Sequence, residues 1–321
     1  MRHDTIQELQ SGEFESFEEL TEAAKAWKAD FRQYSPSTRR PTVEQYAAGE
    51  MLISNASFYC AVEQQGETPP GMRTIAIQAD GCAPIRWFGK KPDKSTLLVF
   101  PKSSELSSFS QPEFHIVTIS VPDEVLEGFI EEQSGEIPDK TLGPEEQLLR
   151  TDRSTLSRLT ESTNHIVGMR HEQNEELRFQ AITDYRELVL ETVLGAATGN
   201  NGKKNRYHHV KDRHSTLRKA LAFINTMKNE PISMTDLSRA SGVTTRALQI
   251  LFKQEFGMSP KQYMLRKRLL EVRRKLMHSN SAATLVTDVA NAWGVWHMGQ
   301  FAADYRKIFG ELPSETLNRK D

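Results

Sequence analysis

Four side chains near the C-terminus have types and a spacing that could support metal binding or catalysis. Residues 291–298 read NAWGVWHM, which places Trp293, Trp296, His297 and Met298 within six positions. An imidazole and a thioether can ligate a soft metal ion, and an imidazole can act as a general base. The alternative is that the stretch belongs to a structural unit that recurs elsewhere in the chain.

Three histidines offer a second possible metal site. His208, His209 and His214 lie in TGNNGKKNRYHHVKDRHS, residues 198–215, which is rich in turn-forming and basic residues and has almost no apolar ones. This composition is typical of a linker between domains, whose side chains are solvated. We therefore predict a linker here, and neither a metal nor a cofactor for the chain.

A phosphate-binding loop and a cysteine-based site are not indicated either. The segment GKK at 202–204 is similar to the end of a P-loop, but no Ser or Thr follows the lysine, and a helix is predicted before it instead of a strand. The two cysteines, Cys60 and Cys82, lack CxxC spacing. This argues against a disulfide framework and against a structural zinc site.

The charge of the chain is divided unequally along its length. The whole sequence has 41 Lys and Arg against 43 Asp and Glu, but residues 210–321 have 19 against 10 and residues 1–209 have 22 against 33. A basic C-terminal part is typical of polyanion binding, although two unrelated solvated surfaces would give the same counts. No apolar run reaches the length of a membrane helix, and the N-terminus is polar and acidic. We expect a soluble cytoplasmic protein without a signal or transit peptide and without a membrane partner.

Residues 42–121 are predicted to form an antiparallel β-sandwich or small barrel. Short segments rich in β-branched and aromatic residues, such as SFYCAV, MRTIAIQ and FHIVTISV, alternate with Pro/Gly turns. Residues 14–34 are expected to form a helix, or a helix that runs into a first strand. His115 is the one histidine of residues 42–121, which argues against a metal-dependent enzyme in this region.

From Pro122 the pattern changes to amphipathic helices. VPDEVLEGFIEEQ, GPEEQLLRTDRSTLSRLTEST and NEELRFQAITDYRELVLETVLGAA are each predicted to be helical, and they are candidates for a dimer interface. The fold class is α+β: an N-terminal antiparallel sandwich or barrel with helices, followed by an all-α domain. The expected divisions are an effector-sensing and dimerisation domain at 1–197, a linker at 198–215 and a C-terminal domain at 216–321.

The C-terminal domain contains a degenerate repeat. DLSRASGVTTRALQILFKQEFGMSP at 236–260 aligns with DVANAWGVWHMGQFAADYRKIFGELP at 288–313. The first matched pairs, 52 residues apart, are Asp236/Asp288, Ala240/Ala292, Gly242/Gly294 and Val243/Val295. After a one-residue insertion the pairs are Leu248/Phe301, Phe252/Tyr305, Phe256/Phe309, Gly257/Gly310 and Pro260/Pro313. The cluster around Trp293 is thus part of a recurring unit.

Each unit is predicted to be a helix-turn-helix, at about 235–257 and 287–310. Gly242 or Gly294 suits the tight turn because a left-handed backbone costs glycine little. Large apolar residues at i, i+4 and i+8 of the following helix bury one stripe and leave the opposite face free. The second helix of such a unit enters the DNA major groove. One unit occurs in many helical domains, but two in register within a basic region favour DNA binding.

The segment between the units, SPKQYMLRKRLLEVRRKLM, is predicted to be a basic linker helix that starts near Pro260. About 18 residues at about 1.5 Å each give a length of about 27 Å. Such a helix can place two recognition helices about one DNA turn apart, in successive major grooves on one face of the duplex.

The C-terminal hundred or so residues resemble the AraC/XylS family of bacterial transcription regulators. The second unit carries the family's pattern of a glycine and an apolar residue, then aromatic and basic positions, then F-G and P-S, here within GVWHMGQFAADYRKIFGELPS. The N-terminal part is compatible with the cupin-like sensing domain that many members carry. The resemblance implies a homodimeric activator that binds double-stranded promoter DNA, contacts RNA polymerase and is associated with the nucleoid when bound to DNA.

The resemblance also implies which side chains meet DNA. The positions that would read bases are Thr244, Thr245, Arg246, Gln249 and Ile250 in the first unit, and His297, Met298, Gln300 and Ala303 in the second. Arg246 can donate two hydrogen bonds to guanine and Gln249 can pair with adenine, whereas the second helix offers fewer polar groups. The positions expected on the DNA backbone are Lys253, Arg266, Lys267, Trp296, Arg306 and Lys307.

A β-rich domain upstream of a DNA-binding domain is most simply an effector site. The candidate pocket residues are Tyr59, Arg73, Arg86, Trp87 and His115. The two arginines would suit an anionic effector. By strand alternation His115 shares a face with Val117 and Ile119, which favours a hydrogen-bonded core histidine.

The sequence therefore predicts a sequence-specific transcription activator that responds to a small molecule and is not an enzyme. Two alternatives stay open. In the first, the regulator is independent of any effector and its N-terminal domain serves only oligomerisation or protein contacts, which a sheet domain without a pocket would support. In the second, a cupin-type enzyme is fused to a DNA-binding module, which a catalytically arranged metal would support.

Overall fold

Two regions of different architecture make up the chain. The computed structural model describes residues 5–24, 27–85, 91–102, 105–135, 138–143, 147–199, 208–227 and 230–319. All the described strands lie before residue 151, and all the regular elements from residue 208 onwards are helices. The predicted α+β class, a sheet-rich N-terminal region followed by an all-helical C-terminal region, is confirmed. None of the described helices has the length and apolar character to cross a bilayer.

The described strands form two antiparallel sheets. They are β1 (Ile6–Glu13), β2 (Lys28–Gln33), β3 (Thr42–Ala48), β4 (Met51–Phe58), β5 (Val62–Glu67), β6 (Met72–Gln78), β7 (Thr96–Val99), β8 (Glu105–Ser110), β9 (Phe114–Pro122) and β10 (Gln147–Arg150). The larger sheet has the order β1-β3-β4-β9-β6-β7-β10 and the smaller one β2-β5-β8. The predicted sandwich of short strands therefore exists, with most neighbours in the sheets non-consecutive in the chain.

The two edge strands of the larger sheet differ from the sequence expectation. Strand β1 lies in the polar N-terminal segment, where no strand was predicted, and pairs with β3. Strand β10 pairs with β7, although its sequence QLLR was expected to begin a helix. An edge strand bonds to one neighbour only and keeps much of its surface in solvent, so a clear apolar alternation is not required of it.

An aromatic core occupies part of the space between the two sheets. The ring of Phe58 on β4 lies 5.4 Å from Phe17, 5.5 Å from Phe31 and 5.6 Å from Phe114. Phe17 begins helix α1 (Phe17–Ala23), whose N-terminal N–H of Glu19 donates to Ser16 Oγ. Residues 14–34 thus follow the second expected arrangement, a helix followed by a strand.

Helices cover the outer face of the larger sheet. They are α2 (Asp123–Ser134), α3 (Pro138–Thr141), α4 (Arg153–Gly168) and α5 (Glu175–Gly199). Their apolar faces form one core with the sheet residues Ile53, Ile75 and Ile119, and the hydroxyls of Thr163 and Tyr185 share a hydrogen bond of 2.8 Å between α4 and α5. The predicted helices of residues 122–197 are thus present, apart from the segment that forms β10.

The C-terminal region consists of seven helices within the described residues. They are α6 (His208–Thr226), α7 (Met234–Ser241), α8 (Thr245–Phe256), α9 (Pro260–Met277), α10 (Val286–Ala292), α11 (Met298–Phe309) and α12 (Pro313–Asn318). Residues 208–215, which were assigned to the linker, belong to helix α6. Residues 200–207 of that linker lie outside the described residues. A polar, basic composition does not prevent a helix when its other turns are amphipathic, as the later turns of α6 are.

Candidate nucleic-acid interface

The first helix pair, α7 and α8, is joined by a turn that depends on Gly242. This residue has a φ of +72°, and its N–H donates to the carbonyl oxygens of Ser238 and Arg239. The hydroxyl of Ser238 donates to Val243 O at 2.5 Å. Main chain and side chain therefore hold the turn together at the position where the repeat predicted it.

The second pair, α10 and α11, repeats this turn at Gly294, with a φ of +69°. The N–H of the buried Val295 donates to Ala290 O at 3.0 Å. Trp293 packs against the core of this pair, whereas the side chain of Trp296 is 61% exposed. Of the four residues first considered for a metal site, Trp293 and Met298 pack against the core of this pair, and Trp296 and His297 are exposed. No group of three or more His, Cys, Asp or Glu side chains that could hold a metal occurs in the described part of the chain.

Replacing Gly242 with alanine should lower the free energy of unfolding by about 1–2 kcal/mol, because a Cβ disfavours the left-handed backbone. The matched control is Gly299→Ala in helix α11, where alanine should be neutral or add up to about 1 kcal/mol. A Cβ at either position meets no atom within 4 Å, so backbone conformation alone separates the two. Urea titrations measure the free energy of unfolding of both variants. Equal changes in Gly242→Ala and Gly299→Ala would refute the assignment of the turn.

Helix α8 presents one buried and one open face. Leu248, Phe252 and Phe256 are buried. The exposed side chains on the other face are Arg246, Gln249, Ile250 and Lys253, while Thr245 is half-buried. Thr244 is the N-cap, and its hydroxyl accepts a hydrogen bond of 3.2 Å from Ala247 N. The predicted base-reading positions therefore share the open face or the open N-terminal end of one helix.

Helix α11 also has one buried and one open face, but the base-reading positions predicted for it have fewer polar side chains than those of α8. Phe301, Tyr305 and Ile308 are buried. The exposed positions are Trp296, His297, Gln300, Ala303, Arg306 and Lys307, and Met298 is half-buried against the core of the second pair. Gln300 Nε2 donates to Asp304 Oδ1 at 3.0 Å, so part of its hydrogen-bonding capacity is already used within the helix. The exposed cations of the last turn lie where phosphate contacts were predicted.

Helix α9 holds the two pairs together. Its 18 residues begin with a capping box, in which Gln262 N donates to Ser259 Oγ and Ser259 N to Gln262 Oε1. Tyr263 and Leu270 belong to the core of the first pair, whereas Leu269, Val272 and Leu276 belong to the core of the second. One continuous helix therefore fixes the separation of the two recognition helices.

Two cations of helix α9 that were predicted to meet the DNA backbone face other parts of the chain. Arg266 Nη1 donates to Tyr34 O at 2.5 Å, and Lys267 donates to Asn225 Oδ1. Burial lowers the pKa of both Arg266 and Lys267 below their ordinary values. Contact of these two residues with DNA phosphates stays a prediction, and in this structure both already contact protein groups.

A cavity of about 70 Å³ lies between the two sheets of the N-terminal region. Its lining includes Trp27, Phe31, Gln45, Gln64, Phe100 and Phe109. None of these six was predicted from the sequence as a pocket residue. The glutamines could have been recognised, since strand alternation places Gln45 on the same face as the apolar Val43.

The predicted pocket residues that the structure describes, Tyr59, Arg73 and His115, do not line this cavity. Arg73 is buried beside Asp123, with Nε 3.4 Å from Oδ1, and donates to Gly143 O at 3.2 Å. Tyr59 and His115 pack against each other with ring centres 5.4 Å apart, and neither lines the cavity. Arg86 and Trp87 lie outside the described residues. For Arg73 the reason is structural: its charge is neutralised within the fold and is directed away from the space between the sheets.

Comparisons with known proteins agree with the paired helices. Residues 237–319 match the family of the helix-turn-helix domain. The chain is 27% identical over 177 residues to the XylDLEGF operon transcriptional activator 3 of Pseudomonas putida, covering 55% of this chain and 53% of that protein. It is 32% identical over 156 residues to the probable thc operon regulatory protein of Rhodococcus erythropolis, covering 47% of each. The chain thus spans about half the length of these curated relatives.

A solved structure is similar to about a third of this chain. It is that of a probable AraC family transcriptional regulator from Rhodopseudomonas palustris CGA009, 35% identical in sequence, with a TM-score of 0.30. The similarity covers 32% of this chain and 95% of that one.

Proposed function

We propose that this chain, whose residues 237–319 form an AraC-type helix-turn-helix domain, is a sequence-specific transcription activator controlled by a small molecule. The observation that carries the proposal is the pair of recognition helices, α8 and α11. Each follows a glycine turn and exposes polar side chains opposite its buried stripe. Rigidly spaced helices of this kind suit adjacent major grooves of one duplex.

The two helices are proposed to divide the reading of DNA. Arg246 and Gln249 on α8 would make the direct base contacts, with Thr244, Thr245 and Ile250 beside them. On α11 His297 and Gln300 are the polar groups, with Met298 and Ala303 as apolar contacts. Lys253, Trp296, Arg306 and Lys307 would meet the backbone. The second half-site would then be recognised more by DNA shape than by base edges.

The N-terminal region supports control by an effector. The cavity between its sheets is enclosed mainly by aromatic and aliphatic groups with few polar ones, as small-molecule sites are. Its presence favours an effector-responsive regulator over one whose sheet domain serves association alone. We assign no enzymatic activity to the chain, since the named relatives are regulators of operons.

Dimerisation and contact with RNA polymerase belong to the same proposal. Most of the apolar surface of α4 and α5 is buried against the chain's own sheet. The N-terminal end of α5 nevertheless exposes Leu177 and Phe179, at 54% and 44%. We propose that these two side chains form part of a homodimer interface, and that the dimer activates transcription in the cytoplasm through contact with RNA polymerase.

Changing Arg246 to alanine should weaken binding to the cognate operator by about 1–3 kcal/mol and relax specificity at one base pair, since two hydrogen bonds to a base are lost. Gln249→Ala should act likewise at a neighbouring base pair. The control is Lys307→Ala, which should weaken binding to all sequences alike and reduce the slope against salt by about 1.

Gel shifts on operator and scrambled DNA at several salt concentrations measure these effects. The operator fragment is first obtained by genomic footprinting. Specific binding that neither Arg246→Ala nor Gln249→Ala changes would show that α8 does not read the operator. Binding that never distinguishes operator from scrambled DNA would refute sequence-specific regulation.

A further inference from the structure

Two buried amide groups in the cavity between the sheets have polar atoms without a partner in the described part of the chain. Gln45 on β3 is 3% exposed and Gln64 on β5 is 8% exposed. Gln45 Oε1 and Gln64 Nε2 have no hydrogen-bond partner among the residues that the structure describes. The other amide atom of Gln45, Nε2, donates to Ser54 Oγ at 3.5 Å, which orients the group. The cavity thus offers one free acceptor and one free donor from opposite sheets.

Leaving such groups unpaired is unfavourable, and native proteins rarely do so without a functional reason. Replacing either glutamine by a hydrophobic residue of similar size would remove the unpaired amide and stabilise the folded state. The aromatic walls next to these amides, including Trp27, Phe100 and Phe114, offer few partners for water. The arrangement therefore suits a molecule that brings its own polar group into an apolar site.

The lining also limits the charge of that molecule. The described residues around the cavity are apolar, aromatic, hydroxyl-bearing or amide-bearing, and no Lys, Arg, His, Asp or Glu is among them. An ionised ligand would lose its hydration there without meeting an opposite charge, which is strongly unfavourable. An anionic effector, which the arginines led us to expect, does not fit this cavity.

We infer that the effector of this chain is an uncharged molecule with a compact apolar body and one group that both donates and accepts hydrogen bonds, held between Gln45 and Gln64. Alcohols, phenols and carboxamides have this chemistry. The inference rests on the proposed function and names the class of its effector.

Phe109 connects this site to the DNA-binding region. It lines the cavity, and its ring lies 4.9 Å from Phe256 at the end of recognition helix α8 and 5.4 Å from Tyr34. Gln111 Nε2, two residues further on, donates to Glu255 O at 3.4 Å. A ligand that moves Phe109 therefore acts directly on the packing of α8, which supplies a route from effector to DNA.

The test compares benzamide with benzoate, two probes of similar size that differ in charge at neutral pH. Binding to the full chain is measured by calorimetry and by the fluorescence change of Trp27, with Trp27→Phe as the blank. Benzamide is expected to bind at least about tenfold more tightly than benzoate, because only the neutral probe avoids an unpaired buried charge. Equal or tighter binding of benzoate, or binding of neither probe at millimolar concentration, overturns the inference.

The variant Gln64→Leu separates ligand binding from folding. It should bind benzamide about tenfold more weakly, and it should unfold at a higher temperature than the wild type without ligand, since an unpaired amide is removed. Gln7→Leu, at an exposed glutamine of β1, is the control and should leave benzamide binding unchanged. Unchanged binding in Gln64→Leu, or a lower unfolding temperature, contradicts the inference.

Gel shifts on the same preparations make the two proposals separable. Specific DNA binding without a preference for benzamide overturns the effector class alone. A preference for benzamide without specific DNA binding overturns the proposed function and leaves the cavity chemistry standing.

Discussion

Replacing Arg273 with alanine is expected to lower the free energy of unfolding by about 3–5 kcal/mol. The side chain is 5% exposed, and its Nε lies 3.2 Å from Glu18 Oε1. Its Nη1 donates to Glu311 Oε1, and its guanidinium lies 4.7 Å from the ring centre of Phe309. Burial works against the charged form, but the surrounding groups outweigh it and raise the pKa of Arg273.

The expected loss is large because both acidic partners are themselves mostly buried. The side chains of Glu18 and Glu311 are 12% and 14% exposed, so removal of Arg273 leaves them close together without this cation. Glu18 lies in the N-terminal region and Glu311 after helix α11. Arg273 on α9 thus joins three separate parts of the chain, and its removal weakens all three contacts together.

Chemical denaturation with Arg239→Ala as control measures this effect. Arg239 pairs with Asp236 at 3.4 Å, but the two side chains are 78% and 45% exposed, and such a pair contributes less than about 0.5 kcal/mol. A loss below about 1 kcal/mol for Arg273→Ala would mean that Glu18 finds water or another partner and that the contacts of Glu311 with Arg319 and Thr316 suffice for it. The structural role assigned to Arg273 would then be wrong.

The helix-turn-helix pairs could be predicted from the sequence because their contacts are short in range. The turn at Gly242 and the stripe of Leu248, Phe252 and Phe256 lie within fifteen residues, and the same pattern recurs in the second pair. A left-handed glycine and an i, i+4, i+8 stripe are local requirements, so they leave a local signal. The sequence repeat also predicted that Trp293 belongs to a recurring structural unit and not to a metal site, and Trp293 packs against the core of the second pair.

The sandwich could be predicted only as a class. Its strands were recognisable by composition, but pairing in β1-β3-β4-β9-β6-β7-β10 order joins segments far apart in the chain. Propensity does not specify such partners, and the polar edge strand β1 carries little signal of its own. Gln45 and Gln64 come together across the two sheets for the same long-range reason, which is why the sequence pointed to Arg73 instead.

The contact between the two regions had no sequence signal at all. Tyr34, which follows β2, and Tyr263 on α9 stack with ring centres 5.1 Å apart. Both hydroxyls donate to Glu63 on β5, from Tyr34 at 3.0 Å and from Tyr263 at 2.5 Å. Glu63 and Tyr263 are 200 positions apart. This cluster gives the N-terminal region direct contact with the helix that spaces the recognition helices.

Tyr263→Phe is expected to lower the free energy of unfolding at neutral pH by about 1–3 kcal/mol, because one oxygen of the buried Glu63 loses its donor. Burial, and then Glu63, raises the pKa of Tyr263 well above its ordinary value. The unfolded chain therefore loses this proton at a lower pH than the folded chain does. The stabilisation is complete below about pH 10 and is lost as the pH rises from there towards the folded-state pKa.

The difference in free energy of unfolding between the wild type and Tyr263→Phe should accordingly become smaller above about pH 10. Each such tyrosine lowers the stability of the wild type by about 1.4 kcal/mol per pH unit in that window, and the variant has one fewer. Burial raises the pKa of Tyr34 as well, followed by Glu63 and Tyr263, so the variant also changes the surroundings of Tyr34 and the measured difference belongs to the pair of tyrosines. Urea titrations at neutral and alkaline pH measure the difference in free energy of unfolding, with Tyr59→Phe as the control.

The control separates this cluster from tyrosines in general. Tyr59 is half-buried and packs against His115, so its loss of a hydroxyl should change stability by less than about 0.5 kcal/mol. A deficit for Tyr263→Phe that stays constant or grows at alkaline pH would place the hydroxyl in water. Helix α9 would then be free of Glu63 in solution. A deficit that shrinks means that the hydroxyl of Tyr263 is buried beside Glu63 in solution as it is in the structure, and that helix α9 is in contact with the N-terminal region.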